Sequence, residues 1–186
     1  MPPSNRSIRP ATPADLSFLE HLQAKWSNNL GFLPRPALQR YIDRHSVLIV
    51  NEHTQHAGYL AWCMRTDGVV TIPQVAIEPE LLRTTLGTRL LNRIAKAATN
   101  GHCSVLRLRS RSDLPANSFW PTQGFAITAV IARPTTRGLP IIEWSRPLLS
   151  PTDIATALNP NVRTRKIFRQ RPRPCLTHAD LEAADA

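Results

Sequence analysis

The chain has 186 residues, 42% of them hydrophobic, with 17 prolines and a formal net charge of +10 at pH 7. That length holds one α/β domain with a real core, and the proline count points to an irregular or disordered stretch beside it. No apolar run approaches the ~18 residues of a membrane span, and the opening MPPSNRSIRP lacks a secretory signal's apolar segment. The reading is a soluble, cytoplasmic protein without a membrane partner.

Cys63, Cys103 and Cys175 are far apart and match no zinc spacing, so no metal site is expected. Cys63 and Cys103 lie in apolar, strand-like surroundings and read as buried structural thiols. Of the 23 basic residues, all but Lys25, Lys96 and Lys166 are arginine. The planar guanidinium fork suits phosphates, and an Arg-rich, GC-rich genome gives the same count without any anionic partner.

Ser7 to Arg9 reads as a short strand. Thr12 is a fit N-cap, with Pro13 at the first helical position and Asp15 at the positive helix end. Leu16, Leu19, Leu22 and Trp26 follow at helical spacing. Asn28 to Gly31 breaks that helix, and Pro34 to Arg44 forms a second with Leu38, Tyr41 and Ile42 on one side. Val47 to Val50 and Ala57 to Met64 are strands, and Asp67-Gly68 turns the chain into Val69 to Ile77.

Thr84 to Ala98 is helical through Leu86, Leu90, Leu91 and Ile94, and Asn100-Gly101 is expected to end it with a left-handed cap. Val105 to Arg109 is a strand, Asp113 to Gln123 a short helix stopped by Gly124, and Phe125 to Ile131 and Ile141 to Trp144 are the last strands. The order is β-αα-β-β-β-α-β-α-β-β, an α/β chain over residues 1–149. Pro151 to Leu158 is a candidate short helix. Arg163 to Pro174 packs six basic residues and two prolines into one run. Residues 150–186 therefore read as a basic, proline-rich tail, extended or disordered.

Three patterns in this order resemble the GNAT acetyltransferase family, over about Ser7 to Pro147. Asp113, Ala116, Phe119, Trp120, Gly124 and Phe125 keep the spacing of the family's Asn-x-x-Ala-x-x-Phe-Tyr-x-x-x-Gly-Phe. Pro73 to Pro79 followed by Leu82 to Leu91 is similar to the family's bulged strand, phosphate-binding loop and helix. There Leu82 replaces the usual Arg or Gln, Thr85 replaces the first glycine, and Gly87 is kept. Arg9, Ala11 and Asp15 resemble the family's opening Arg-x-Ala-x-x-x-Asp.

The resemblance implies a GNAT-like mixed sheet with splayed central strands. It also implies an N-acyltransferase using acetyl-CoA or another acyl-CoA on an amine of a small molecule or macromolecule. It places the cofactor against Val75, Ala76 and Ile77, against Arg83, Thr84, Thr85, Leu86, Gly87 and Thr88, and against Asn117 and Trp120. Helix-start N–H groups would hold the pyrophosphate. In place of glycine, Thr85 is expected to donate its N–H from a backbone with φ below zero.

Trp120 stands where the family's proton-donating Tyr stands and cannot supply a proton at neutral pH. Glu78, Tyr41 and Ser110 are the catalytic candidates, and Asn29, Phe32 and Gln74 the acceptor-side candidates. His102 is expected to be solvated on its turn. Two alternatives stay open. One is a nucleic-acid modifier of the phage-DNA or tRNA-directed toxin kind, phage-encoded and acting in the host cytoplasm, with phosphate contacts from Arg107, Arg109, Arg111 and the tail. The other is a binding module that has lost catalysis, its tail docked on a partner or forming a homodimer.

Overall fold

The computed structural model describes residues 6–132 and 138–148 and Leu181. Seven strands form one sheet: β1 (Arg6–Pro10), β2 (Val47–Glu52), β3 (Gln55–Met64), β4 (Val69–Ile77), β5 (Val105–Arg111), β6 (Ala126–Ile131) and β7 (Ile141–Pro147). Their order across the sheet is β1-β2-β3-β4-β5-β7-β6. All neighbours run antiparallel except β4 and β5, which are parallel. A parallel pair needs a crossover, and α3 (Leu86–Asn100) supplies it.

The faces are sorted by strand alternation. Leu48, Val50, Leu60, Trp62, Val70 and Ile72 point to one side, where they pack with Leu86, Leu90, Leu91 and Ile94 of α3. Val47, Ile49, Tyr59 and Ala61 point to the other, under Leu19 and Leu22 of α1 (Leu16–Lys25) and Leu38 and Ile42 of α2 (Arg35–Asp43). The chain is thus a three-layer α/β domain whose two cores are read directly from odd and even residues.

At the first turn, Asp15 is buried and accepts from both Arg9 guanidinium nitrogens at 2.7 Å, from Thr12 N at 2.7 Å and from Thr12 Oγ1 at 2.9 Å. Its carboxyl is held well below the usual carboxylate range, first by the Arg9 hydrogen bonds and then, against the cost of burial, by Thr12.

Three local expectations need correction. The left-handed residue after α3 is His102 (φ 59), while Gly101 has φ −78, so the chain reverses one residue later than expected. His102 is exposed, as expected of a turn. The segment after β5 is a 3-10 turn over Pro115–Ser118 followed by α4, which spans only Phe119–Thr122. Pro115 and Pro121 both lack the N–H that a longer regular helix would use. Cys103 is buried as expected, whereas Cys63 is half-buried.

Pro151 to Leu158, Arg163 to Pro174 and Cys175 lie outside the described residues. Leu181 does not: it is helical and fully buried in the α3-side core. The C-terminal extension therefore contributes at least one side chain to the domain, a contact that the sequence does not reveal.

Candidate active site

The parallel ladder between β4 and β5 stops early. It runs from Val69↔Val105 to Ile72↔Leu108, four residue pairs. The next residue is Pro73, which has no N–H to give to a neighbour. Against β3, Ala61 pairs with Gln74 and Cys63 with Thr71, so β4 carries one extra residue at Ile72-Pro73. This bulge switches the side-chain parity. Val70 and Ile72 face α3, and then Gln74 and Ala76 face α1 and α2 while Val75 and Ile77 return to the α3 side.

Beyond the bulge the two strands present open edges to each other. Glu78 N–H donates to Ala57 O at 2.9 Å, which fixes the antiparallel alternation of β3 and β4. Ala76 and Gln74 then exchange bonds with β3, and Val75 and Ile77 turn their N–H groups to the β5 side. By the same reasoning, Ser112 N–H to Pro140 O at 2.8 Å turns the backbone of Arg109 and Arg111 toward β4. A cleft lined by main-chain donors and acceptors results.

One edge of the cleft is braced from the α1 side. The Trp26 indole donates to Ile77 O at 2.9 Å, and Lys25 Nζ reaches Glu78 Oε2 at 2.6 Å. On β3, Gly58 leaves no room for a side chain, since a Cβ there would lie 2.6 Å from Ala76 O and 2.5 Å from Ile77 Cδ1.

The cleft leads to the start of α3. Arg89 N–H is bonded to Thr85 O at 3.0 Å, so the N–H groups of Leu86, Gly87 and Thr88 precede the first intrahelical bond. Together with the helix dipole they form an anion-binding end. The preceding turn holds two non-glycine residues at positive φ, Arg83 (63) and Thr85 (68). Thr85 thus does not take the negative φ expected of it. It keeps the backbone shape that glycine would give, at a cost of roughly 1–2 kcal/mol for a residue with a Cβ.

Arg6 holds this turn. Its Nη1 donates to Thr84 O at 2.9 Å and Thr85 Oγ1 at 3.3 Å, while Nε and Nη2 bond Glu52 Oε1 at 3.0 and 2.8 Å. Gly87 lies against Phe119 of α4, with a built Cβ 3.4 Å from the ring. Phe119, Trp120 and Phe125 stack edge to face, with centroids 5.2 and 6.0 Å apart. The Trp120 indole N–H is buried without an acceptor among the described residues.

Ser110 Oγ donates to Asn117 Oδ1 at 2.6 Å and accepts from the Trp144 indole at 2.9 Å. Asn117 Nδ2 in turn donates to the carbonyls of Arg111 and Ser112. Ser110 and Asn117 thereby shape the turn after β5. Tyr41 sits on α2 near Cys63 of β3, and burial first, then Cys63, pushes its phenol up, so it stays protonated at neutral pH.

Gln74 is almost fully buried on the acceptor side. It accepts from Tyr59 Oη at 2.8 Å and donates to Gln23 Oε1 at 2.7 Å and to Gly31 O. Gln23 also bonds Leu33 through both backbone groups. These contacts bring the loop carrying Asn29 and Phe32 over Gln74. Asn29 is exposed, and Phe32 is 78% exposed rather than plugged into the core. A pocket of about 390 Å³ lies under the loop, between Glu20, Gln23, Ser27, Leu30, Phe32 and Arg35.

Sequence reasoning missed Gly58, Arg6 and Gln23. Pro73, in the middle of β4, was visible as a residue that cannot pair on both sides of a strand. Arg109 is hydrogen-bonded to Glu143 and Arg111 to Asp113, while Arg107 lies 3.6 Å from Glu143 with its Nε unbonded among the described residues. Among the described residues there is no group of three or more metal-ligating side chains, and no helix is long and apolar enough to cross a membrane.

A scan against family models matches the acetyltransferase (GNAT) family over residues 16–125. The chain belongs to the GNAT family. By class it is an acyltransferase acting on amines, with an acyl-CoA as its cofactor. The fold is similar to Ard1 from Thermoplasma volcanium, with TM-score 0.70 and 16% identity over 78% of this chain and 99% of that one. It is also similar to the ribosomal-protein-S18-alanine N-acetyltransferase of Escherichia coli, with TM-score 0.65 and 18% identity over 78% and 95% of the two chains. N-acetylglutamate synthase from Neisseria gonorrhoeae, solved with coenzyme A and N-acetyl-glutamate, gives TM-score 0.67 and 21% identity over 78% of this chain and 35% of that one. A search of curated protein sequences returns no match.

Proposed function

We propose that the protein transfers an acyl group, acetyl in the first instance, from acyl-CoA directly to an amine held under the Asn28–Leu33 loop. One observation carries this reading. The open β4 edge, with Val75 and Ile77 N–H turned outward, leads into the free N–H groups of Leu86, Gly87 and Thr88. That line of donors suits an extended amide-bearing arm ending in a pyrophosphate.

The acyl-CoA supplies an activated acyl group. The protein's share is mostly positioning. Val75 N–H is the donor for a carbonyl lying in the cleft, and the next residue, Ala76, ties β4 to β3. Thr84, Thr85 and Leu86 to Thr88 hold the anionic part, and Arg83, exposed beside them, adds a cation. Asn117 and Trp120 wall the far side. Glu78 at the end of β4 is the base for the incoming ammonium, oriented by Lys25. Tyr41, beside Cys63, whose β4 partner Thr71 lies in the closed part of the sheet, is set back from the opening, and Ser110 is fixed behind the cleft. Asn29 and Phe32 form the acceptor wall, and Gln74 sets their height.

Calorimetry with acetyl-CoA tests this reading. Saturable binding that Gly87→Trp abolishes, with acceptor turnover strongly reduced in Glu78→Gln, is expected. No binding to the wild-type protein at millimolar cofactor overturns it.

A further inference from the structure

Strand β5 carries its arginines on one face. Leu106 and Leu108 pack into the α3-side core, so alternation turns Arg107, Arg109 and Arg111 to the face that holds Gln74, α1 and α2. The helices stop short of them. Among the described residues, the core under α1 and α2 takes its strand residues from β2, β3 and β4 only. Trp144 also belongs to the α3 side, which puts its neighbours Glu143 and Ser145 beside the arginines. This open shelf adjoins the acceptor wall. Continuing the ladder that ends at Ile72↔Leu108, Arg109 is the first β5 residue past the closed part, facing Pro73 and Gln74 across the cleft.

One residue of the shelf lacks a partner anion. Arg109 donates to Glu143 from Nε and Nη2, at 2.9 and 2.8 Å, and Arg111 donates to Asp113. Arg107 has only a 3.6 Å approach to Glu143, too long for a hydrogen bond, and its buried Nε has no partner among the described residues. A buried guanidinium nitrogen left in that state costs free energy. Strand register sets neutral hydroxyls on either side of it, Thr71 on β4 and Ser145 on β7. Ser145 Oγ lies 3.2 Å from Thr128 Oγ1, and Cys63, with Tyr41 beside it, continues the row beyond Thr71. Arg40 and Arg44 add positive charge at that end, where both act on the Tyr41 phenol. Because Arg107 leans toward Glu143, the partner of Arg109, its guanidinium lies about two strand residues, roughly 7 Å, short of Val75.

We infer that Arg107, flanked by Thr71 and Ser145, holds an oxyanion of the acceptor, a carboxylate or a phosphate several bonds away from the amine. The inference rests on the acyl-transfer reading and deepens it by naming the acceptor as an acidic amine. Such a group offsets the row's excess positive charge and accepts from the guanidinium fork and the two hydroxyls. It also leaves the amine free to reach the opening beside Gln74. A neutral or polycationic amine gains nothing from this shelf.

Calorimetry on the CoA-loaded protein, where no acyl group is present to transfer, tests it at low salt. ε-Aminocaproate and aminopentyl phosphate carry the two oxyanions, and ε-aminocaproamide is the neutral comparison. The wild type is expected to bind at least one anionic amine about tenfold or more tighter than the amide, the size of a charge-assisted contact. The tighter of the two identifies the oxyanion. Arg107→Gln should bring all three affinities together, with Arg107→Lys keeping part of the preference. Arg111→Gln removes the same charge from the end of the row and should keep the preference whole. Equal binding of acid and amide by the wild type, or no binding of any of the three, overturns the inference while the acyl-CoA reading stands. So does a preference that Arg111→Gln weakens as much as Arg107→Gln. Failure of the wild type to take up CoA removes the acyl-CoA reading, and this inference with it.

Discussion

Arg6 and Thr85 are joined across the molecule: the guanidinium of the first strand donates to Thr85 Oγ1 at 3.3 Å and to the neighbouring Thr84 carbonyl at 2.9 Å. Thr85 needs that support because it holds a left-handed backbone, φ 68, with a β-branched side chain. Arg6→Ala is predicted to weaken CoA binding by about tenfold, the effect of losing hydrogen bonds to a charged group. Thr85→Gly should restore most of that affinity in the double variant, since glycine adopts the turn without a brace. Calorimetry on both singles and the double variant measures the coupling, and independent, additive effects would count against the brace.

Gln74 ties Tyr59, Gln23 and Gly31 into one buried set. Replacing it by leucine leaves the Tyr59 hydroxyl and the Gly31 carbonyl without partners. A loss of about 2–4 kcal/mol in urea unfolding is expected. The loop over it should also loosen, so that the KM for the amine rises more than the KM for acetyl-CoA. A variant with native stability and unchanged acceptor KM would show that the loop holds itself.

The larger architecture was legible because it rests on local rules. Val47–Val50 and Ala57–Met64 announce themselves by apolar runs, Asp67-Gly68 by its turn chemistry, and α3 by Leu86, Leu90, Leu91 and Ile94. The site was legible only in part. The Asp113–Phe125 spacing gave the family, but the conformation of Thr85 did not follow from its residue type, since a β-branched side chain argues against positive φ. What stabilises it is Arg6, 79 residues away, and no local pattern records such a contact. Likewise the bulge at Ile72-Pro73 depends on register against β3, so the parity of Gln74 and Val75 emerges only from the assembled sheet.

Asp15 makes stability depend on pH. Its folded-state carboxyl is held below the unfolded value by Arg9 and Thr12, so its contribution is present above the unfolded pKa of about 4 and fades as pH falls through the folded one. Asp15→Asn should cost about 2–3 kcal/mol at pH 7 and progressively less below about pH 4. Denaturant midpoints of both proteins at pH 7 and near pH 3 measure this. A difference that stays constant over that range would rule out the carboxylate as its source.

Gly58→Ala places a Cβ 2.6 Å from the Ala76 carbonyl oxygen, a main-chain atom that cannot swing aside. A stability loss of about 1–3 kcal/mol is expected from overpacking. Because β4 must shift to relieve the contact, acetyl-CoA affinity should fall as well. A thermal melt with and without acetyl-CoA reads both effects, and an unchanged ligand-induced shift would place the cofactor elsewhere.

The short β4–β5 ladder also has a mechanical consequence. Strands β1 to β4 form one plate and β5 to β7 another, stitched along four residue pairs at one end. Opening the other end breaks no strand-to-strand bond, so the aperture is a hinge whose stiffness comes from α3 and from the Phe119 contact with Gly87. In hydrogen exchange, the amides of Val75, Ile77, Arg109 and Arg111 should be fast spots in the middle of an otherwise slow sheet. A jaw of that kind can widen for a bulkier acyl group without unfolding either plate.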